Sequence, residues 1–399
     1  MSEAYDAVIA KEEALLLKTY ARYPVVVDHG LGARLWDVDG KEYIDLLAGI
    51  AVCGLGHCHP EVCEALEKQA RTLWHVSNLF YQKPQLELAE RLLATTHHTK
   101  AFFCNSGAEA NEAAIKLARR YVKKVLGRDA ADVITLTDCF HGRTLATLAA
   151  TGREALWDGF TPVAGGFKQV QAGDLAALEA AMDDSTAAVL LEVVQGEAGV
   201  LPLPKEYVLG VEQLCRERKV VFICDEVQAG MGRTGKFWAF QTVDAHPDII
   251  SLAKALANGL PMGAILATDE VAKGFVTGSH ATTFGGGAIA SAVAAKVLEI
   301  MERDHLVERA GAVGEAFMAK IRALAAELGG PIREVRGKGL MIGISLAEDA
   351  TQVWLELIRR GFICSLSHGT TLRLLPPLTI DEADLDAFLA TLKDILQGR

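Results

Sequence analysis

Much of what would assign this 399-residue sequence to a special class is missing from it. No uncharged apolar stretch reaches the roughly 18 residues that a membrane-spanning helix requires, so no membrane span is expected. The N-terminus, MSEAYDAVIAKEEALLL, carries acids early and no basic segment ahead of an apolar run, and so does not read as a signal peptide. Basic residues are not in excess: 40 Lys and Arg stand against 51 Asp and Glu, a formal charge of −11. That balance argues against a nucleic-acid or anionic-membrane partner, since both need clustered cations. The cysteines at 53, 58, 63, 104, 139, 215, 224 and 364 include no CxxC pair, and several lie in apolar runs, as Cys224 does in VVFICDE. Reduced thiols in a cytoplasmic protein are expected, rather than a disulfide framework. Repeats and low-complexity linkers are absent as well. What remains is ordinary globular composition, in a chain too long for one small core and consistent with two or three domains.

Short β-like runs alternate with turns over residues 24–45 (VVVDHG, ARLWDVDG, EYIDLLAG). Helical patterns begin at Pro60 and after Pro84. From AFFC to GAILAT, strand-like runs then alternate with helix-like ones: AFFC, AEANEAAIKLARRYVKKV, DVITLTD, AAVLLEVV, YVLGVEQLCRERK, VVFICDE, DIISLAK. That rhythm, through about residue 270, predicts an α/β domain with a mainly parallel sheet. A long Ala-rich helix over 286–302 leaves it, and the tail from about 306 reads as a smaller α+β domain. Three parts are expected: 1–59 packing with the small domain, 60–305 forming the large domain, and 306–399 completing the small one.

Ligands of open α/β sheets lie at the carboxyl ends of the strands. The residues to read are therefore Asn105 to Ala108, Asp138 to Arg143, Glu192 to Glu197, Asp225 to Gln228, and Lys254. Asp225 ends the apolar run VVFIC, where a carboxylate is costly without a strong donor or cation. Lys254 closes DIISLA between two alanines, a setting that can leave an amine neutral and nucleophilic. An Asp and a Lys on separate strand ends suit pyridoxal phosphate: one keeps the pyridine nitrogen protonated, the other binds the aldehyde. A salt bridge or helix cap is the plainer reading of Asp225, and a solvated side chain that of Lys254. The third need, a phosphate seat, is offered by Asn105-Ser106-Gly107-Ala108-Glu109 at the start of a helix. Ser106 and Glu109 also predict a capping box.

Two patterns point elsewhere. Gly230-Met-Gly-Arg-Thr-Gly235 fits GxGxxG, with Asp248 spaced for a ribose. A dinucleotide site, however, needs a helix opening directly after the strand, and DEVQA intervenes. His57-Cys58-His59, with Cys53 and Cys63 nearby, has no standard zinc spacing and reads as a turn before Pro60, so no metal is expected. No GxxxxGK[ST] occurs.

Taken together, DVDGKEYIDLLAGIAV, GHCHP, LWHVSNLFY, FFCNSGAEANEAAIKLARRY, FHGRT, VVQGEAGV, DEVQAGMGRTG, LAKALANGLPMGA, TTFGG, VRGKGLMIG and LRLLPPL resemble the class III, fold type I pyridoxal-phosphate aminotransferases. Within that family they are most similar to the acetylornithine aminotransferases. The resemblance implies that Lys254 holds the cofactor covalently and then serves as general base and acid. It pairs Asp225 with the pyridine nitrogen, puts Val227 and Phe140 on the two ring faces, and sets Gln228 near the ring hydroxyl. Ser106, Gly107 and Ala108 would seat the phosphate. Thr283 would reach the phosphate of a neighbouring subunit, which implies a homodimer with shared active sites.

For substrate, the resemblance gives Arg143 to the α-carboxylate of N²-acetylornithine and Arg373 to that of 2-oxoglutarate or glutamate. Glu197 would be a gate that pairs with Arg373 and releases it for the diacid, Glu192 a supporting residue, and Thr282 a further substrate contact. The implied reaction moves the δ-amino group of acetylornithine to 2-oxoglutarate in arginine biosynthesis. Ornithine, succinylornithine or succinyldiaminopimelate, and 4-aminobutyrate aminotransferases are the nearest alternatives; from another class, the alternative is a pyridoxal-phosphate-binding regulator that has lost catalysis. Ornithine aminotransferases place a Tyr at the position of Ile50, so Ile50 favours an acylated donor; Phe80 and Tyr81 are candidates for the same end of the pocket. Three departures stand out: Cys53 where the family commonly has Asn, Ala229 for the usual Thr, and GGGAIA (285–290) for GGNPLA.

Overall fold

The computed structural model describes residues 2–398. The alternating runs form a seven-stranded sheet from β1 (Lys100–Cys104), β2 (Asp132–Leu136), β3 (Phe167–Val170), β4 (Thr186–Leu191), β5 (Val221–Asp225), β6 (Ile249–Leu252) and β7 (Gly263–Ala267). Their spatial order is β1-β7-β6-β5-β4-β2-β3. Neighbours from β6 to β3 pair in parallel, while β7 runs antiparallel to both β6 and β1. Six strands thus point the same way. Strands β4 to β7 are buried at every position, which is why they read as unbroken apolar runs. Strand β3 (FKQV) went unforeseen: it is a half-exposed edge strand with little apolar signal.

The Gly107–Lys124 helix buries Ala110, Asn111, Ala114, Ile115, Leu117 and Ala118 along one face. Its small side chains let it lie close over β6 and β7. The expected Ala-rich helix spans Ala288–Arg303 and packs on the Pro60–Ala70 and Lys83–Leu93 helices. Gly287 is its N-cap residue and supplies no side-chain acceptor, a consequence of the GGGAIA departure.

The C-terminal part builds an antiparallel sheet from Ile332–Lys338, Met341–Leu346, Ser365–Ser367 and Thr371–Leu374. Near the N-terminus, Val27–Leu31, Arg34–Asp37 and Glu42–Asp45 form a second small sheet, which Phe362–Ile363 joins in parallel with Glu42–Asp45. Arg34 forks onto Asp384, with both N···O distances 2.7 Å.

The glycine pattern at 230–235 lacks the geometry of a dinucleotide fingerprint. It opens no helix, and a Cβ on Gly235 would lie 2.7 Å from the Gly311 Cα, so it serves close packing against the Leu306–Leu328 helix. Asp248 accepts the Phe222 N–H at 2.8 Å rather than facing a ligand. In the His57 cluster, His57 Nε2 meets Asp45 Oδ2 at 2.7 Å, and Cys58 is exposed. No metal-holding group of three or more His, Cys, Asp or Glu occurs among the described residues. All eight thiols are free, five of them buried.

Candidate active site

Because the strands share a direction, the loops after β1, β2, β4, β5 and β6 emerge along one edge of the sheet. They converge on a cavity of about 420 Å³. Asn105 to Ala108, Phe140 to Arg143, Glu192, Glu197, Asp225, Val227, Gln228 and Lys254 all line it. Reversal of β7 adds Leu260 to Met262 from its amino end, and Val52 reaches in from the N-terminal segment.

Asp225 is 5% exposed, and two N–H donors together with the His141 ring sustain it. Its Oδ1 accepts the Val227 N–H at 3.0 Å. Oδ2 accepts from Asn111 Nδ2 at 2.7 Å and faces His141 Nδ1 at 2.8 Å. Asn111 is itself fixed by the Ser251 hydroxyl, 2.6 Å from Asn111 Oδ1. Burial disfavours the His141 imidazolium, yet the neighbouring Cys139 and the Asp225 carboxylate override it and raise the group well above its ordinary range. Asn111 and His141 are the site residues that sequence reasoning missed. The available signal was a polar side chain at position 111 on the helix face that is otherwise small and apolar.

Lys254 follows β6 with a left-handed backbone, φ 47°. Such a conformation costs a non-glycine residue on the order of 1 kcal/mol. It turns the amine into the cavity, where burial lowers its pKa; Glu197 opposes that shift and Arg373 reinforces it. Glu192 accepts the Phe140 N–H at 3.1 Å and the Gly196 N–H at 3.3 Å, tying two cavity loops together. Burial, then the charge on Asp225, raises its pKa to about 7.

Arg373 is 4% exposed and reaches across from the small domain. Its Nη1 donates to Glu197 Oε1 at 2.6 Å and to the Gly196 carbonyl at 3.0 Å, with Gln228 Oε1 3.4 Å away. Its Nε donates to Ser365 Oγ at 3.0 Å. Burial would raise the Glu197 pKa, but Arg373 prevails and holds it below the usual carboxylate range. Arg143 is exposed at the rim, its guanidinium carbon 5.6 Å from the Phe140 ring centre.

At the start of the Gly107–Lys124 helix, Ser106 Oγ accepts the Glu109 N–H at 3.1 Å. The reciprocal half of the expected capping box does not form. The Glu109 carboxylate instead accepts the N–H of Asn105, at 2.6 Å. The N–H groups of Gly107 and Ala108 find no acceptor among the described residues. A Cβ on Gly107 would meet Val227 at 2.7 Å, so only glycine leaves this cradle open. An anion seat at a helix N-terminus, a sustained buried carboxylate and a pKa-lowered amine in one cavity fit pyridoxal phosphate.

Other expected residues lie elsewhere. Thr283 is exposed, and Thr282 Oγ1 is engaged by Asn105 Nδ2 at 3.3 Å and the Gly285 N–H at 3.2 Å; both line a recess beside the cavity. Phe80 and Tyr81 are 66% and 101% exposed and do not line the cavity of their own chain. Ile50 does not line it either: it lies in the left-handed turn Ala48–Ala51, and Val52 faces the cavity instead. Of the departures, Cys53 sits beside His57, and Ala229 is buried in the core.

A family model described as aminotransferase class-III matches residues 17–396. An acetylornithine aminotransferase of Methanocaldococcus jannaschii is 45% identical over 388 residues, covering 96% of each chain. Among solved structures, the ornithine aminotransferase of Toxoplasma gondii ME49 superposes with a TM-score of 0.96 at 31% identity, covering 100% of this chain and 96% of that one. The acetylornithine aminotransferase of Elizabethkingia anophelis gives 0.88 at 34% identity, covering 99% of both. A match of this extent, over a cavity built as described, leaves one conclusion: the chain belongs to the class-III aminotransferases, enzymes that depend on pyridoxal phosphate.

Proposed function

We propose that this enzyme transfers the δ-amino group of N²-acetyl-L-ornithine to 2-oxoglutarate, giving N-acetyl-L-glutamate 5-semialdehyde and L-glutamate, as a step of arginine biosynthesis. The observation that carries this reading is end-to-end identity above 40% with relatives named acetylornithine aminotransferase. The position of Ile50 carries less of it, since that side chain lies off the cavity.

Bound pyridoxal phosphate supplies the electron-withdrawing ring that makes the donor's C–H proton labile. Lys254 would hold it covalently. The Lys254 amine would move a proton from and back to the substrate carbon that bears the transferred nitrogen. Asp225, held by Asn111 and His141, keeps the pyridine nitrogen protonated. Val227 and Phe140 would hold the ring, Gln228 would serve its hydroxyl, and Ser106, Gly107 and Ala108 would seat the phosphate. Arg143 takes the acylated donor's carboxylate and Arg373 that of the diacid. Glu197 covers Arg373 until the diacid arrives, since a fixed guanidinium facing one carboxylate accommodates only one partner at a time.

A homodimer belongs to the same reading, with Thr283 of one subunit at the phosphate site of the other and Thr282 beside it. In support, Trp74, Leu79, Phe80, Tyr81 and Phe284 are 66–101% exposed, a large apolar group for a free surface. In the same reading residues 1–59 pack with the small domain of 306–399, beside the large domain of 60–305; the pairing of Glu42–Asp45 with Phe362–Ile363 supports the first of these. A cytoplasmic location agrees with eight free thiols. The test is a donor panel on the holoenzyme, following loss of the cofactor's absorbance band. Acetylornithine should react well ahead of ornithine, succinylornithine and 4-aminobutyrate; equal or faster reaction with free ornithine would overturn the assignment.

A further inference from the structure

The loop that carries Glu197 belongs to the large domain, yet the small domain grips it. Ser367 Oγ donates to the Glu197 backbone carbonyl at 3.1 Å, and His368 Nε2 lies 3.0 Å from the same oxygen. A carbonyl can only accept, so His368 must carry its proton on Nε2. Both donors sit at the tip of the hairpin formed by Ser365–Ser367 and Thr371–Leu374, whose second strand also carries Arg373. The tip is fixed by left-handed backbone at His368 (φ 50°) and Gly369 (φ 71°), with the Thr370 N–H donating to the Ser367 carbonyl at 3.3 Å. Downstream on the loop, Arg336 Nε donates to the Gly199 carbonyl at 2.9 Å and the Val200 carbonyl at 3.1 Å. A single hairpin therefore holds the guanidinium that Glu197 covers and, separately, the Glu197 main chain.

We propose that Ser367 and His368 are positioning residues for the Arg373 gate: they fix the Glu197 backbone so that the gate opens by rotation of the Glu197 side chain while its loop stays docked. The inference rests on the gate reading above. Two donors on one carbonyl keep the Glu197 carboxylate within rotamer reach of Arg373 even after a diacid has displaced it, so it re-covers the guanidinium when the diacid leaves. Without them the Glu197 main chain keeps only the ties on either side of it, at Gly196, Gly199 and Val200, so the carboxylate returns less often and Arg373 stays open to diacids for longer.

The measurement is the ratio of kcat/KM for glutamate to that for acetylornithine, each half-reaction being followed on the holoenzyme by its cofactor absorbance. Ser367→Ala and His368→Asn are made singly and together; Asn tolerates the left-handed turn but is too short to reach the carbonyl. The pair should raise the ratio about three- to tenfold, the scale of an ordinary hydrogen bond lost. Ser367→Thr, which keeps the hydroxyl, should retain the parental ratio. In a Glu197→Ala background the pair should add less than about a twofold change, because the group being positioned is gone. An unchanged ratio in the pair, where Glu197→Ala alone shifts it, overturns the inference and leaves the gate standing. An undiminished shift in the Glu197→Ala background also overturns it, showing a general structural effect. A ratio insensitive to Glu197→Ala removes the gate itself.

Discussion

The Glu197–Arg373 pair offers the sharpest single test of how one cavity accepts two unlike substrates. Glu197 Oε1 lies 2.6 Å from Arg373 Nη1, and the two side chains are 33% and 5% exposed. A diacid binding at Arg373 must first displace this contact, a charge-assisted hydrogen bond with a net worth of about 1.5–3 kcal/mol. Removing the competitor returns that amount to the incoming carboxylate, roughly ten- to 150-fold in affinity. Glu197→Ala should therefore raise kcat/KM for glutamate by at least about tenfold. Acetylornithine should lose, because its end of the cavity then faces an uncompensated guanidinium. Glu197→Gln, with an amide oxygen but no charge, should fall between the two.

Two accompanying readouts exclude a trivial explanation. Arg373 stays held by Gly196, Gln228 and Ser365, so its position should survive while its counter-charge does not. The substrate-free variant should lose on the order of 1–3 kcal/mol of stability, less than for a fully buried pair because Glu197 is partly solvated. Added 2-oxoglutarate should restore it, as a shift in thermal midpoint. Since Arg373 holds the Glu197 pKa below the usual range, the carboxylate stays charged from pH 6 to 9, and titration of this group should not move the parental donor ratio. A ratio in Glu197→Ala within about twofold of the parent, or a shift toward acetylornithine, would refute the reasoning.

Lys254→Ala should abolish turnover with every donor while the chain remains folded; full activity would sink the proposed mechanism. Asn111→Ala removes a donor from Asp225 and strands the Ser251 hydroxyl, so retention of pyridoxal phosphate should weaken about tenfold by equilibrium dialysis. An unchanged dissociation constant would show that Asp225 needs no such support. Gly107→Ala places a methyl 2.7 Å from Val227 and should weaken pyridoxal phosphate binding at the same helix start; retention equal to the parent protein would show that the cradle is not the phosphate seat. Asp45, then Cys53, raises the His57 pKa from 6.5 to about 10. Its charged contribution to stability is complete below pH 6.5 and is lost as pH rises through 10. The thermal-midpoint gap between the parent and His57→Asn should narrow over that interval, and a constant gap would contradict it.

The cavity was largely legible before the structure because its parts sit where strand ends announce themselves. Asp225 and Lys254 each close a fully buried strand, and a charged residue ending an apolar run is a visible anomaly. Gly107 was legible for a related reason, at the junction of a strand and an amphipathic helix. Residues whose work depends on distant partners were not. Asn111 is one polar letter on a helix until β6 brings Ser251 beside it. Strand β3, exposed on an edge, lacks the apolar run that marked its neighbours. Ile50 shows the converse: its motif is distinctive in sequence, while within one chain the left-handed turn Ala48–Ala51 puts Val52 on the cavity wall.

The gate combines both situations in one device. Glu197 and Arg373 could be found separately because each lies in a distinctive local motif, QGEAG and LRLLPPL. Ser367 and His368 occupy an unremarkable turn 170 and 171 residues from the carbonyl they hold. A donor to a backbone carbonyl leaves no pattern at the accepting position, because every residue offers one. Such contacts are decided by topology: the Ser365–Leu374 hairpin has to carry Arg373 into the cavity, and its tip then falls against the loop after β4. A position like His368 can therefore control donor choice without touching substrate. The signature to look for is a polar residue forced into left-handed backbone at a hairpin tip that faces a substrate-binding loop.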